Sequence, residues 1–318
     1  IAFGKKDDDV LLDLHFANTL DKLLIFTDKG NYLFIPIHKL EEFKWKELGK
    51  HISYFIKVSP EEKMIGSILV KSFVLPLYVL LTTRLGQIKR VPLKEFEVAR
   101  YTKPLKCMNL KKDDQLLQVA LTDTNQAIVL TSSLGYVSLY SEDEISILGL
   151  KAAGIKAMNL KDDYLVAMNT FDPLHSYSYV LISDQPGIKR MRISDIPSCN
   201  RATKGTSIFK SPKTNPIHAL DAFVLDTQDQ LMIESEQKKE NLYIKDYSLS
   251  QIGQKPSVIQ SMKNETIMYV YDRHSLSTDL YIFNQDEKVE KSQPLETTSQ
   301  QDKHFEPISF DDLFKEDF

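Results

Sequence analysis

The sequence predicts an all-β fold in which blade-like units are arranged around one axis. A phrase of about fifteen residues recurs roughly every fifty residues, and a second phrase recurs at the same spacing. Short strand-like runs alternate with turn signals, and no helical period of comparable strength is present. A radial β-architecture would also cover the open edges that isolated small sheets present.

The first phrase predicts a β-hairpin. An apolar run reaches a turn, passes a glycine and continues as an alternating strand, and a residue that tolerates positive φ suits such a turn. These glycines, Gly30, Gly86, Gly135 and Gly187, lie 56, 49 and 52 residues apart. The copies are FTDKGNYLFIPIHKL from Phe26, LTTRLGQIKRVPLKEF from Leu81, LTSSLGYVSLYSEDEI from Leu130 and LISDQPGIKRMRISDI from Leu181.

The second phrase supports the same repeat length. KCMNLKKDDQLLQVALT from Lys106 matches IKAMNLKDDYLVAMNTF from Ile155, and Met108 and Met158 lie 50 residues apart. The two KDD triplets therefore fall on equivalent turns, which explains them without a metal site.

Two weaker copies follow the first four. A fifth copy with a longer, glycine-free hairpin begins at Asp229, and a sixth begins at Glu265. Beyond residue 285 the chain becomes polar: residues 286–318 hold ten acids and four bases and are predicted to be an acidic tail. The predicted blades are residues 10–60, 61–110, 111–158, 159–212, 213–258 and 259–285.

Several function classes lack the residues that they need. Cys107 and Cys199 are the only cysteines, the seven histidines are scattered, and no P-loop, G-x-S-x-G or G-x-G-x-x-G phrase occurs. The longest apolar run, from Leu75 to Leu81, is too short to span a bilayer. The start lacks an initiator Met and a signal peptide, so we expect the chain to begin inside a longer protein.

The phrase T-D-x-G-x-x-x-x-[IV]-P, repeated about every fifty residues, resembles the C-terminal domain of the A subunits of DNA gyrase and topoisomerase IV. The similarity extends over residues 10–285, and four aligned copies make it specific. The resemblance implies a propeller-like β-pinwheel of about six four-stranded blades, as a closed ring or an open spiral. It also implies a non-catalytic domain that binds and bends or wraps duplex DNA independently of sequence.

The resemblance further implies partners outside this segment. These are the rest of the A subunit, with its DNA-cleaving tyrosine, and the ATPase B subunit of a heterotetramer in the bacterial cytoplasm, at the nucleoid. ATP and magnesium would act there, so we expect no cofactor or metal in this segment. We expect the segment itself to be monomeric and to have no membrane contact.

One stretch distinguishes the two branches of this family. Gyrase A subunits carry a box of the form QRRGGKG after the first repeat, and the matching stretch here, KWKELGKHIS from Lys44, keeps Gly49 and three lysines only. This departure favours the topoisomerase IV (ParC) type, with roles in decatenation, relaxation and chromosome segregation. A gyrase A domain and, from a different class, a protein-binding β-propeller scaffold are the alternatives.

Basic residues are the candidates for DNA contact, because phosphate neutralisation dominates DNA affinity. The doublets Lys89-Arg90 and Lys189-Arg190 follow their hairpin turns at the same place, which predicts that they lie on one exposed rim. The candidate DNA-binding residues are Arg84, Lys89, Arg90, Arg100, Lys103, Lys106, Lys189, Arg190, Arg192, Arg201, Lys204, Lys44, Lys46 and Lys50.

Overall fold

The computed structural model describes residues 12–44 and 46–272. Two compact units divide the chain, Ile1–Asp279 and Leu280–Phe318, and the described residues all belong to the first. The predicted acidic tail, residues 286–318, lies outside them. Among the described residues the regular structure consists of strands and short 3₁₀ turns, and none of these helical segments is long and apolar enough to cross a membrane.

Nineteen strands follow one another in the described part of the chain. They are β1 Lys22–Thr27, β2 Asn31–Pro36, β3 Met64–Val70, β4 Tyr78–Thr83, β5 Gln87–Pro92, β6 Leu105–Lys106, β7 Leu116–Thr122, β8 Ala127–Ser132, β9 Tyr136–Ser141, β10 Ile155–Lys156, β11 Leu165–Phe171, β12 Ser178–Ser183, β13 Gly187–Arg192, β14 Thr206–Ser207, β15 Ala219–Leu225, β16 Gln230–Ser235, β17 Lys239–Tyr243, β18 Ser257–Val258 and β19 Ile267–Asp272. The 3₁₀ turns are Ile37–Lys39, Ile52–Tyr54, Leu93–Phe96, Glu142–Glu144, Ile193–Asp195, Ile244–Asp246 and Gln260–Met262.

The strands form small antiparallel sheets that confirm the all-β, pinwheel-like prediction. Each sheet is built on the hairpin of one repeat. The next repeat along the chain supplies both flanking strands of the four-stranded sheets and one strand, β19, of the three-stranded sheet. The strand orders are β3-β1-β2-β6, β7-β4-β5-β10, β11-β8-β9-β14, β15-β12-β13-β18 and β19-β16-β17, and we number these sheets 1 to 5. Consecutive repeats are therefore interlocked, because each repeat completes the sheet of the repeat before it.

This sharing of strands between consecutive repeats, which we call strand exchange, also explains why the predicted number of blades is too high. The sequence predicts six, but the described residues form five sheets. The sixth copy, beginning at Glu265, supplies β19, which pairs with β16 in sheet 5. Counting repeats overestimates the number of sheets, because the first strand of a repeat belongs to the preceding blade. Residues 273–285 of the predicted sixth blade lie outside the described residues.

The hairpin turns use glycine as predicted in three of the four clear copies. Gly30, Gly86 and Gly135 have φ of 70°, 77° and 76°, in the left-handed region that favours glycine. The prediction for Gly187 is wrong: it pairs with Ser183 as the first residue of β13, and Pro186 occupies the turn position. The spacing of glycines in the sequence hides this shift of one residue.

The core lies between neighbouring sheets. Strands β3, β7, β11 and β15 are adjacent to one another, and we call these and β19 the inner strands. A cluster that includes Val129, Tyr179, Leu181 and Phe209 joins sheets 3 and 4, and similar clusters join sheet 2 to sheet 3 and sheet 4 to sheet 5. Burial of these apolar side chains is the main force that holds the sheets together.

The sheets have two distinct ends. At one end the hairpin turns meet the segments that lead into the inner strands, as when Arg84 N–H donates to the Gln115 carbonyl over 2.8 Å. At the other end the loops that leave the inner strands meet the 3₁₀ turns, as when Leu93 N–H donates to the Leu77 carbonyl over 2.8 Å.

These ends are defined by residue ranges. The turn end comprises hairpin turns 27–31, 83–87, 132–136, 183–187 and 235–239 and the lead-in segments 59–63, 106–115, 156–164, 207–218 and 257–266. The 3₁₀ end comprises loops 71–77, 123–126, 172–177 and 226–229 and segments 37–42, 93–97, 141–145, 192–196 and 243–248.

Candidate nucleic-acid interface

The acidic turns of the second phrase hold neighbouring repeats together. Asp114 accepts a 2.9 Å hydrogen bond from Leu85 N–H in the preceding hairpin turn, and Asp163 accepts a 3.3 Å bond from Leu134 N–H in the next one. The carboxylates thus satisfy turn amides that the hairpins leave open. No group of three or more His, Cys, Asp or Glu side chains that could hold a metal occurs in residues 12–44 and 46–272.

These hydrogen bonds of Asp114 and Asp163, which we call the clamps, fix the position of the lysines beside them. Lys111, Lys112 and Lys161 directly precede the acidic pairs of these turns, and their side chains are exposed. Because the turn backbone is held by the buried carboxylates of Asp114 and Asp163, these lysines point to solvent from a fixed base. The repeated turn therefore presents positive charge at equivalent places in successive repeats.

Exposed charge is divided between the two ends. At the turn end thirteen exposed cations accompany four exposed acids, whereas at the 3₁₀ end five exposed cations accompany nine exposed acids. The turn-end cations are Lys29, Lys63, Arg84, Lys106, Lys111, Lys112, Lys156, Lys161, Lys210, Lys213, Lys238, Lys239 and Lys263, and the acids there are Glu61, Asp113, Asp162 and Glu236. At the 3₁₀ end the cations are Lys39, Lys71, Lys94, Arg192 and Lys245, and the acids are Glu41, Glu42, Glu95, Glu97, Asp143, Glu144, Asp195, Asp226 and Asp246.

This division gives the described region a positive end and a negative end. Clustered charge of one sign raises the local concentration of counter-ions and attracts a polyanion over a distance of about a Debye length. The charge of the turn end is therefore suited to a polyanion, and the charge of the 3₁₀ end is not.

The two basic doublets occupy equivalent positions, as the sequence predicts, but they are not on an exposed rim. Lys89 pairs with Leu81 and Lys189 with Leu181, yet both lysine side chains are buried, with exposures of 0% and 1%. Arg90 is also buried, and Arg190 is half-buried. The expectation of exposure is wrong because the following repeat covers the face from which these side chains project.

Burial changes the chemistry of the doublet lysines. Removal from water disfavours the ammonium form and lowers the pKa of both Lys89 and Lys189 to about 8. Their Nζ atoms donate to carbonyl oxygens of the protein, 2.8 Å to Gly149 for Lys89 and 2.7 Å to Gln251 for Lys189. These two cations serve the fold and do not add to the surface charge.

The other candidate residues fall into three places. Arg84 and Lys106 lie at the turn end, and Arg192 lies at the 3₁₀ end. The remaining candidates belong to segments between a 3₁₀ turn and the next paired strand, which we call connectors. They are Lys44, Lys46 and Lys50 in the first connector, Arg100 and Lys103 in the second, and Arg201 and Lys204 in the fourth; all are exposed except Arg201, which is half-buried.

Ring contacts orient some of these cations. The Arg84 guanidinium lies 4.3 Å from the centre of the Tyr164 ring, and Lys204 Nζ lies 3.8 Å from the centre of the Tyr136 ring. Such contacts hold a cation without neutralising it. Lys50 Nζ lies 4.9 Å from the centre of the Tyr54 ring and also forms a 3.7 Å ion pair with Glu41, which reduces the charge of the first connector.

Of the lysines in the lead-in segments, the candidates from the sequence include Lys106 alone. The sequence pattern identifies Lys111, Lys112, Lys156 and Lys161 only as part of a repeated turn phrase. A signal is present, because a lysine follows Met-Asn-Leu in both copies of the second phrase. Its placement at the turn end depends on strand exchange, which the phrase does not reveal.

A cavity of about 1100 Å³ opens between sheets 3 and 4 at the 3₁₀ end. Its lining includes Arg190, Arg192, Asp143 and Glu144, so charges of both signs meet there. This mixture distinguishes the cavity from the turn end, where exposed cations outnumber exposed acids by thirteen to four.

Comparison with known proteins gives a consistent result. The family model described as DNA gyrase C-terminal domain, beta-propeller, matches residues 21–71, 77–123, 126–172 and 178–215. The structure superposes on the C-terminal domain of DNA topoisomerase IV with a TM-score of 0.81 and 32% identity, covering 90% of each chain. A DNA gyrase A C-terminal domain, at 19% identity, 0.65 TM-score and coverage of 85% and 88%, shares the fold.

Two longer relatives extend the comparison. The A subunit of DNA topoisomerase 4 from Bacillus subtilis (strain 168) is 35% identical over 235 residues, which are 74% of this chain and 29% of the relative. Its counterpart from Staphylococcus epidermidis is 34% identical over 249 residues, which are 78% of this chain and 31% of the relative. The chain therefore spans about three tenths of the length of these relatives.

Proposed function

Because the chain belongs to the family of the DNA gyrase C-terminal domain, we propose that it binds duplex DNA through the turn end, independently of base sequence. The observation that supports this proposal is the segregation of charge, with thirteen exposed cations at the turn end and a net negative 3₁₀ end. Lysine and arginine side chains bind DNA chiefly by neutralising phosphates and releasing counter-ions.

The composition of the turn end favours contact with the DNA backbone over contact with base edges. Twelve of its thirteen exposed cations are lysines, which act as point charges, whereas bidentate readout of guanine usually employs arginine. The described residues also offer no helix long enough to lie in a major groove. Phosphate contacts position a protein on DNA but carry no sequence information.

The spread of the cations suggests a bent DNA path. Exposed lysines or arginines occur in the hairpin turns of sheets 1, 2 and 5 and in all five lead-in segments. A duplex that contacts several of these sheets must follow their arrangement around the axis. Bending 20–30 base pairs costs on the order of 1–6 kcal/mol, and several phosphate contacts are needed to offset it.

In the whole enzyme this region would belong to a topoisomerase IV A subunit. The support is the 35% and 34% identity to topoisomerase 4 A subunits and the connector from Lys44 that lacks a gyrase-type box. The partners would be the ATPase B subunit together with the rest of the A subunit, and the activity would be decatenation and relaxation during chromosome segregation. ATP and magnesium would bind those other parts of the bacterial, cytoplasmic enzyme.

Fluorescence anisotropy of a labelled mixed-sequence duplex, measured over a series of salt concentrations, tests the proposal. We expect affinity to fall steeply with salt, with a slope of about −0.9 for each phosphate neutralised. Replacing Lys111 and Lys161 by alanine should weaken binding and reduce the slope by about 2.

The matched control replaces two lysines of the 3₁₀ end, Lys94→Ala with Lys245→Ala, and should leave the slope unchanged. Absence of salt-dependent binding by the unmodified chain at low ionic strength would refute the proposal. A protein-binding scaffold would then be the better explanation of the fold.

A further inference from the structure

The buried doublets hold specific segments of the next repeat. Lys89 Nζ donates to the carbonyl oxygens of Gly149 and Leu150 over 2.8 Å and 2.9 Å. Both acceptors lie in the third connector, residues 146–154, which runs from the 3₁₀ turn Glu142–Glu144 to the short strand β10. The ammonium group of a lysine in one repeat thus binds two carbonyl groups of the following repeat.

Arg90 holds the residues that lead into the same connector. Its Nε donates to the Ile145 carbonyl over 2.9 Å, and a guanidinium nitrogen lies 3.3 Å from the buried carboxylate of Glu142. Its own carbonyl accepts a 2.8 Å hydrogen bond from Leu148 N–H. Side chain and backbone of the doublet therefore hold the connector at several consecutive residues.

The same arrangement recurs two repeats later. Lys189 Nζ donates to the carbonyls of Gln251 and Gln254 over 2.7 Å and 3.0 Å, and Arg190 donates to the Tyr247 carbonyl over 2.9 Å. These acceptors lie in the fifth connector, residues 247–256, which leads to β18. The lysine bonds to connector carbonyls and the arginine bond to the residue after the 3₁₀ turn thus recur, whereas Arg190 bonds the hydroxyls of Ser178 and Thr227 in place of a carboxylate. Recurrence of these shared contacts indicates a feature of the fold and not of one loop.

The first and third repeats have no basic doublet at the equivalent position. Leu33 and Phe34 stand at the doublet position in the first repeat, and Ser138 and Leu139 stand there in the third. The Ser138 hydroxyl is buried without a hydrogen-bond partner among the described residues. The fourth connector is held in the reverse direction, because Arg201 of the connector donates from Nε to the Glu144 carbonyl over 3.0 Å.

The two connectors held by doublets carry exposed lysines. Lys151 lies in the third connector and Lys156 at the end of β10, and Lys255 lies in the fifth connector just before β18. We propose that Lys89-Arg90 and Lys189-Arg190 are positioning residues that place these three exposed lysines against DNA, without touching DNA themselves. This inference rests on the proposed DNA-binding function.

Two observations separate positioning from direct contact. The ammonium groups of Lys89 and Lys189 donate two and three hydrogen bonds, respectively, to protein acceptors, and reaching a phosphate would break those bonds. Both side chains are also almost completely shielded from solvent. The doublets can therefore affect DNA binding only through the position of the connectors that they hold.

The experiment compares two double variants of the whole chain. The double variant Lys89→Met with Arg90→Met, called the fastener variant, removes the side chains that hold the third connector. The double variant Lys151→Ala with Lys156→Ala, called the charge variant, removes the exposed charges that these side chains are proposed to position. Amide hydrogen exchange of residues 146–154 is measured without DNA, and affinity is measured over a salt series with a mixed-sequence duplex. Circular dichroism verifies that each variant is folded.

We expect the fastener variant to raise exchange in residues 146–154 by about tenfold or more, because the connector loses its anchors. Its affinity should fall while its salt slope stays that of the unmodified chain, since every exposed cation remains. The charge variant should leave exchange unchanged and reduce the slope by about 2.

Three outcomes would overturn the inference: unchanged exchange in the fastener variant, unchanged affinity despite faster exchange, or a salt slope reduced as in the charge variant. The last would mean that the doublet contacts phosphate directly. If the double variant does not fold, Arg90→Lys keeps the charge, loses the planar guanidinium contacts and is judged by the same criteria. If the unmodified chain does not bind DNA, the proposed function fails, whereas the exchange result still shows whether the doublet holds its connector.

Discussion

Asp114 accepts a 2.9 Å hydrogen bond from the backbone N–H of Leu85, which lies 29 residues earlier in the chain. Asp163 accepts a bond from Leu134 at the same separation. Each carboxylate ties the lead-in segment of one repeat to the hairpin turn of an earlier one. The two clamps join three successive repeats at the end of the sheets that carries the exposed lysines.

The clamp predicts a clear contrast between two adjacent acids. Replacing Asp163 by alanine should lower the free energy of unfolding by about 1–3 kcal/mol, because the amides of Leu134 and Tyr164 lose their acceptor. Replacing the exposed Asp162 should change it by less than about 0.5 kcal/mol. Urea unfolding followed by circular dichroism measures both, and equal effects of the two substitutions would contradict the clamp.

A second prediction concerns the turn of the third hairpin. Gly135 has a φ of 76°, and a Cβ at this position would collide with the ring of Phe209. Gly135→Ala should therefore destabilise the chain by at least about 1 kcal/mol, from backbone strain and overpacking together. Gly49→Ala is the matched control, because nothing lies within 4 Å of its added methyl group.

Thermal unfolding compares these two glycine variants. The melting temperature should fall for Gly135→Ala and stay close to that of the unmodified chain for Gly49→Ala. Similar melting temperatures for both variants would mean that the left-handed turn does not constrain the third hairpin.

A third prediction concerns alkaline pH. Burial raises the pKa of Tyr32 to about 12, above its ordinary value of 10.0. A group whose pKa is raised by folding stabilises the folded state below its unfolded pKa, and that contribution is lost as pH rises through the folded value. The free energy of unfolding should therefore decline between pH 10 and pH 12.

Tyr32→Phe tests the assignment of this decline. The variant should lose less stability over the same pH interval, because phenylalanine cannot ionise. Denaturant unfolding at several pH values provides the measurement. Parallel curves for the variant and the unmodified chain would show that Tyr32 does not contribute.

The hairpins can be predicted from the sequence because their causes are local. The turn residues Gly30, Gly86 and Gly135 and the alternating strands around them act over a few residues, and the structure places them as expected. The sequence misplaces Gly187 by one residue, since a glycine beside a proline satisfies the same pattern in either position. Periodicity identifies a hairpin but leaves its register to tertiary contacts.

The number of sheets and the role of the doublets cannot be predicted, because both depend on strand exchange. A period-two pattern states that a strand has two faces, but not which repeat covers them. Lys89 and Lys189 follow hairpin turns just as exposed cations would, and only the carbonyls of the next connector reveal that they are interior groups. The same exchange brings the lysines of the lead-in segments to the turn end.

Lysine footprinting with and without DNA shows which end of the sheets contacts the duplex. The chain is acetylated under limiting conditions in the presence and absence of a mixed-sequence duplex, and modification at each lysine is quantified by mass spectrometry. We predict protection of Lys111, Lys112 and Lys161 at the turn end and no protection of Lys94 and Lys245 at the 3₁₀ end. Equal protection at both ends, or protection confined to the 3₁₀ end, would contradict this prediction.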